Sequence, residues 1–175
     1  MEGFSSKTGR NLLLAGRVAL GAIFVYAAYT KLRPAQPGPF SLDSLRLSLS
    51  LFATQVDSYQ LLPDRAVSFV AHTLPFFELA IGLLLLGGWL LRSVSSLTSA
   101  LLLGFFSVML RSYALGLEIN CGCFGPGETL GVKTLIRDGS LLALSLVVTF
   151  GAFWIRRSHR EAPAEIRAPT PQRAD

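Results

Sequence analysis

The sequence predicts an all-α integral membrane protein: a four-transmembrane-helix bundle with an extracytoplasmic amphipathic helix between the first two spans. Three observations lead there. Hydrophobic residues make up 51% of the chain against 15% charged, and the mean hydropathy is +0.49, more apolar than an ordinary soluble domain. Four stretches, Leu12–Leu32, Ala66–Gly87, Val94–Gly116 and Val132–Ile155, each reach the roughly 20 mostly apolar residues that cross a bilayer core. Together they consume over half of the chain, so no separate soluble domain fits.

The first span follows Lys7 and Arg10, as a signal peptide would. It is too long for a signal core, it carries Arg17, and no clear small-x-small cleavage site follows it, so it reads as a retained anchor. Pro34, Pro37, Gly38 and Pro39 then stop the helix. From Ser41 a new pattern starts, with Leu42, Leu45, Leu49, Phe52, Ala53 and Val56 at helical spacing. Ser41 or Asp43 can cap this helix, which should end near Tyr59 and the Leu61-Leu62-Pro63 turn. It suits the membrane interface, either as a lid or docking surface beside the next loop but one, or as a plain cover on the bundle end. In the second span, Pro75 should loosen or kink the helix just before Glu78 and free backbone carbonyls where a small ligand can sit. A tight connection with Arg92 leads to the third span, and a Gly-rich loop leads to the fourth. Three regions result: an N-terminus over 1–11, the bundle over 12–155, and a basic tail over 156–175, rich in Pro, Arg and Glu and expected to be disordered. There is no internal repeat.

Lys and Arg near the span ends set the orientation. Lys7 and Arg10, Arg92, and Arg156, Arg157 and Arg160 fall on one side if all four segments cross. The opposite side receives Leu117–Gly131, which has Glu118 and Glu128 and no Lys or Arg. It also receives Arg33–Arg65, where Arg33, Arg46 and Arg65 face Asp43, Asp57 and Asp64 and weaken the bias. Both termini are therefore expected in the cytoplasm. The net charge of +5 is largely anchoring charge, attracted by anionic lipid of the bilayer, and calls for no nucleic-acid partner.

Both cysteines lie two residues apart in the loop before the fourth span, Asn120-Cys121-Gly122-Cys123-Phe124-Gly125. A Cys-x-Cys disulfide closes a small ring with Cα atoms near the upper end of the accepted separation. A bridge that closes almost no loop adds little stability, and a strained or exposed one passes oxidising equivalents readily. Gly122, Gly125, Pro126 and Gly127 allow the turns it needs. Cys121 and Cys123 are thus candidates for a redox pair; the plain alternative is two inert thiols or a bridge without turnover. A closed zinc site wants four ligands, and only His72 can add a nitrogen on this side, so no metal site is expected.

Charged residues within spans are costly and are functional candidates by default. Residue counting at about 1.5 Å per residue puts Glu78 near the bilayer midplane, with Arg17 nearer the cytoplasm and within reach of it. Lys31, Arg111, Arg137 and Asp138 fall in the outer third, below the cysteine loop. A cationic cluster there can favour a nucleophilic thiolate, bind the head group of a quinone, or simply pair with Asp138. Because adjacent residues face different directions on a helix, Asp138 is expected to meet Lys31 or Arg111 across helices rather than Arg137. His72 is a candidate proton carrier, or an ordinary interfacial residue.

Four segments carry a resemblance: Ala28-Tyr29-Thr30-Lys31-Leu32, Tyr59-Gln60-Leu61-Leu62-Pro63, Leu74-Pro75-Phe76-Phe77-Glu78-Leu79 and Asn120-Cys121-Gly122-Cys123-Phe124-Gly125. On these the chain resembles the MauE family of methylamine-utilisation membrane proteins, within the DoxX-like group, from Leu12 to about Trp154. The resemblance implies a bacterial inner-membrane protein that matures methylamine dehydrogenase, whose small subunit is rich in disulfides. It implies work beside a periplasmic thioredoxin-like partner, MauD, on a disulfide-bearing client apoprotein, with Cys121 and Cys123 as the redox pair. It assigns no catalytic role to Lys31, Pro75 or Glu78. A looser, fold-level analogy to DsbB and vitamin K epoxide reductase suggests a quinone as electron acceptor. Those enzymes relay electrons between two cysteine pairs; this chain has one, so a partner supplies the second or the pair meets the carrier directly.

Three functions follow. The first is a membrane thiol–disulfide redox or assembly factor. The second is a non-catalytic scaffold that docks a thioredoxin-like protein. The third is a small-solute transporter using Glu78 and Arg17, disfavoured because inverted repeats and paired broken helices are missing.

Overall fold

The computed structural model describes residues 7–34, 41–117, 119–121 and 129–161, with side chains between 9 and 154. Among these residues five helices follow one another: α1 Lys7–Leu32, α2 Leu42–Asp57, α3 Asp64–Gly87, α4 Leu91–Ala114 and α5 Val132–Glu161. Helices α1, α3, α4 and α5 are long and apolar enough to cross a membrane, and the four expected spans are borne out. Among the described residues the only β pairing is an isolated antiparallel bridge, Asn120 to Thr129.

Helix contacts run α1–α3, α3–α4, α4–α5 and α5–α1, which closes the four spans into a ring. Inside a bilayer, lipid tails are as apolar as leucine, so close packing and interhelical hydrogen bonds hold such helices together rather than the hydrophobic effect. Both devices are present. At the α1–α3 crossing Gly21 and Gly82 let the backbones meet: a Cβ on Gly82 would stand 2.9 Å from both the Gly21 oxygen and the Val25 nitrogen. Between α4 and α5 the Ser99 hydroxyl donates to Ser145 Oγ at 3.1 Å and pairs with Thr149 Oγ1 at 2.9 Å.

One hydrophobic cluster, Leu20, Phe24, Ile81, Leu85, Val94 and Val148, fills the ring. A second, Phe52, Ala71 and Leu74, seats α2 on α3. Ser41 rather than Asp43 caps α2, in a reciprocal box: Ser44 N–H donates to Ser41 Oγ at 3.1 Å, and Ser41 N–H to Ser44 Oγ at 3.0 Å. Ser48 Oγ, donating to the Arg33 carbonyl at 2.8 Å, ties α2 back to the end of α1. Of the anticipated α2 stripe, Leu49 and Phe52 are buried while Leu42 is exposed.

α3 carries the buried Pro75 inside it. Two local expectations change. α5 runs on to Glu161, past the expected end at Ile155; the rest of the proposed disordered tail lies outside the described residues. Arg17 does not approach Glu78. Its Nη2 donates to the Leu86 carbonyl at 3.5 Å, and its guanidinium lies over Gly88, which ends α3 in the left-handed conformation with φ 73°. A cation at a helix C-terminus meets the unsatisfied carbonyls and the negative end of the dipole, and Arg17 fills that role. The transporter reading drew on both residues, and the structure does not bring them together.

Candidate functional site

The site begins with a buried ion pair. Lys31 Nζ donates to both Glu78 carboxylate oxygens, at 2.8 and 3.1 Å, and the two side chains are 4% and 7% exposed. Counting residues set Glu78 deeper than Lys31; the bridge sets the two charges at one depth. The reason is local. Side chains on a helix lean toward its N-terminus, and Lys31 follows this so closely that Nζ reaches the Ala27 carbonyl at 3.4 Å, one turn back. The Phe52 ring, brought in by α2, lies 5.4 Å from the ammonium, a cation–π distance.

Beside this pair opens a cavity of about 230 Å³. Its walls are apolar and aromatic, with Phe24 from α1, Phe52 and Val56 from α2, Leu74 from α3, Phe105, Phe106 and Met109 from α4, and Leu141 from α5. Polar groups are few: Lys31, Glu78, Gln55, Tyr59, Asp138 and Cys121. A concave apolar chamber with a handful of convergent polar groups is the usual form of a small-molecule site.

Cys121 is 4% exposed. The Asn120–Thr129 bridge and the bond from Leu130 N–H to the Ile119 carbonyl, 2.8 Å, pin its loop at the head of α5. Tyr59 Oη donates to the Cys121 carbonyl at 2.8 Å, which joins the end of α2 to the loop. Arg137 Nη2 lies 3.9 Å from Cys121 Sγ. Cys123 and the rest of the motif, 122–128, lie outside the described residues.

Two expectations about the charges are corrected. Asp138 is gripped by its sequence neighbour: Arg137 Nε and Nη2 reach its two carboxylate oxygens at 3.0 and 3.4 Å. The long arginine side chain wraps across the helix surface and spans the angle that separates adjacent positions, so neither Lys31 nor Arg111 is needed. Arg111 is exposed and stands outside the cavity. His72 is also exposed, its Nδ1 engaged by the Ser68 carbonyl at 2.7 Å, and it does not line the cavity.

The segments Ala28–Leu32, Tyr59–Pro63, Leu74–Leu79 and Asn120–Cys121, remote in sequence, each supply a wall of this one chamber, through Lys31, Tyr59, Glu78 and Cys121. A family model described as methylamine utilisation protein MauE matches residues 9–151. The chain belongs to the MauE family. A curated relative, the methylamine utilization protein MauE of Paracoccus denitrificans, is 32% identical over 143 residues, which cover 80% of this chain and 69% of that one. No solved structure matches. Membership links this MauE-family protein to methylamine utilisation.

Sequence reasoning found Lys31, Glu78, Asp138 and Cys121 but did not join Lys31 to Glu78. It passed over Gln55, Phe52 and the Tyr59 hydroxyl as site groups. Gln55 had one legible signal, a polar residue beside the buried stripe of an amphipathic helix. For Tyr59 the signal was its place in one of the four MauE segments.

Proposed function

We propose that this MauE-family protein is a membrane thiol–disulfide redox factor for the maturation of periplasmic proteins of methylamine utilisation. Its termini lie in the cytoplasm, and its cysteine loop faces the periplasm. The observation that carries the reading is the setting of Cys121: buried, anchored by Tyr59, and with the Arg137 guanidinium 3.9 Å from its sulfur. Thiol–disulfide exchange puts negative charge on sulfur as thiolate attacks and thiolate leaves, and a fixed guanidinium stabilises that charge.

In the oxidising direction a thiolate of the client attacks the Cys121–Cys123 disulfide and forms a mixed disulfide. A second client thiolate displaces it. The client gains one S–S bond, and Cys121 and Cys123 leave as a dithiol holding the two electrons. A thioredoxin-like partner can stand between client and loop and would carry the same two electrons.

Intact cells decide this. Acid quenching, followed by a membrane-impermeant mass-tagged maleimide with and without prior reduction, reports the side and the oxidation state of the pair. The expected result is a disulfide on the outer face that becomes a dithiol when respiration is blocked and re-forms when it resumes. Cys121→Ser and Cys123→Ser should each stop client oxidation while the protein still inserts. A pair that never changes state, or a double serine variant that still supports maturation, overturns the redox reading in favour of a scaffold that docks the thioredoxin-like partner.

A further inference from the structure

We infer that the cavity beside Lys31 and Glu78 is the binding site for the ring of a lipid-soluble quinone, the two-electron acceptor for the cysteine pair. The inference rests on the redox reading and names the small molecule it needs. Its grounds are the size, lining and neighbours of the chamber. A cavity of about 150 Å³ lined by apolar side chains admits benzene; at about 230 Å³, this one takes a single ring with substituents. Phe52, Phe105 and Phe106 offer aromatic faces and edges to such a ring.

Polar groups gather where a ring carbonyl needs them. The amide of Gln55 borders the cavity and makes no side-chain hydrogen bond among the described residues, so its N–H groups can donate to a carbonyl oxygen. The Lys31–Glu78 pair adds a fixed dipole at the same chamber. A saturated acyl chain would gain nothing from these groups. A soluble polar metabolite would lose its hydration against the aromatic walls. An apolar ring with carbonyls satisfies both surfaces.

Cys121 is a wall of the same chamber, so the sulfur and the acceptor share one space. The step balances with no other reagent. Two S–H bonds break and one S–S bond forms. The two electrons and two protons pass to the quinone oxygens, giving two O–H bonds of a hydroquinone. The bilayer then carries the reduced ring away.

The test uses the full-length protein in lipid nanodiscs under argon, with a short-chain ubiquinone analogue as probe. Direct binding should be saturable. Gln55→Leu should weaken it about tenfold, the equivalent of one lost hydrogen bond to a buried carbonyl. Leu102, on α4, also lines the cavity; Leu102→Phe, which narrows it, should do the same, and circular dichroism confirms that each variant is folded. Pre-reduced protein should convert the probe to its hydroquinone, one per protein, and the double Cys→Ser variant should bind the probe without reducing it.

Equal binding of an alkylbenzene of the same size would overturn the proposal in favour of a lipid-chain pocket. So would unchanged affinity in both cavity variants. If the pair cycles in cells but reduced protein neither binds nor reduces the quinone, this inference fails while the redox function stands. If the quinone binds but the pair never cycles, the redox function fails, and the acceptor role goes with it.

Discussion

Removing one partner of the Lys31–Glu78 pair should be among the most damaging single changes in this protein. With N–O distances of 2.8 and 3.1 Å, the attraction is about 5.5–6 kcal/mol at an effective dielectric of about 20. Taking both charges out of water offsets most of this, so the net worth of the intact pair is small. The asymmetry lies in breaking it. Glu78→Leu leaves a buried ammonium without its carboxylate, and Lys31→Met leaves a buried carboxylate without its ammonium; each should cost about 3–5 kcal/mol. The double variant, Lys31→Met with Glu78→Leu, removes both charges and should recover most of that loss, because apolar groups of similar size replace a buried pair at little or no cost. Reversible unfolding in mixed micelles, titrated with sodium dodecyl sulfate and followed by circular dichroism, measures the wild type and all three variants. A double-mutant cycle then isolates the coupling. Single variants within about 1 kcal/mol of wild type, or a double variant equal to the sum of the singles, would refute the pair as a coupled buried bridge.

The two helix seams give further checks by the same titration. Gly82→Ala places a methyl 2.8 Å from Val25 Cγ2 and 2.9 Å from two backbone atoms. The backbone cannot yield as a side chain does, so a loss of about 1–3 kcal/mol is expected; a neutral result would mean that α1 and α3 do not meet at this glycine pair. Ser99→Ala removes the hydrogen bonds to Ser145 and Thr149. At about 0.6 kcal/mol for each interhelical bond in a membrane, the loss should be near 1 kcal/mol, and a larger one would show that the seam is also closely packed.

The architecture was legible because its causes are local. A run of apolar residues long enough to cross a bilayer declares a span wherever it packs, and Ser41 with Ser44 caps α2 from within four residues. Gly88 and the Arg17 cap were harder to read. Arg17 is drawn to carbonyls freed at the end of α3, 69 residues away, and no pattern in α1 reports where α3 ends. The depth of Lys31 was misjudged for a related reason: counting locates a Cα, while a long side chain places its charge a full turn away.

By itself, then, the sequence determined a four-span membrane protein of the MauE type and the amphipathic helix before the second span, and it singled out the two cysteines as candidates for a redox pair. Each follows from composition, short-range spacing or a contiguous motif. The tertiary structure alone decided that Lys31 meets Glu78, that Arg137 faces both Asp138 and the Cys121 sulfur, and that Gln55 and Tyr59 belong to the same chamber as these groups. Those choices depend on how α1, α2, α3 and α5 stagger and rotate against one another. That packing is set by contacts such as Gly21 against Gly82, between residues 61 positions apart, which helical periodicity cannot encode.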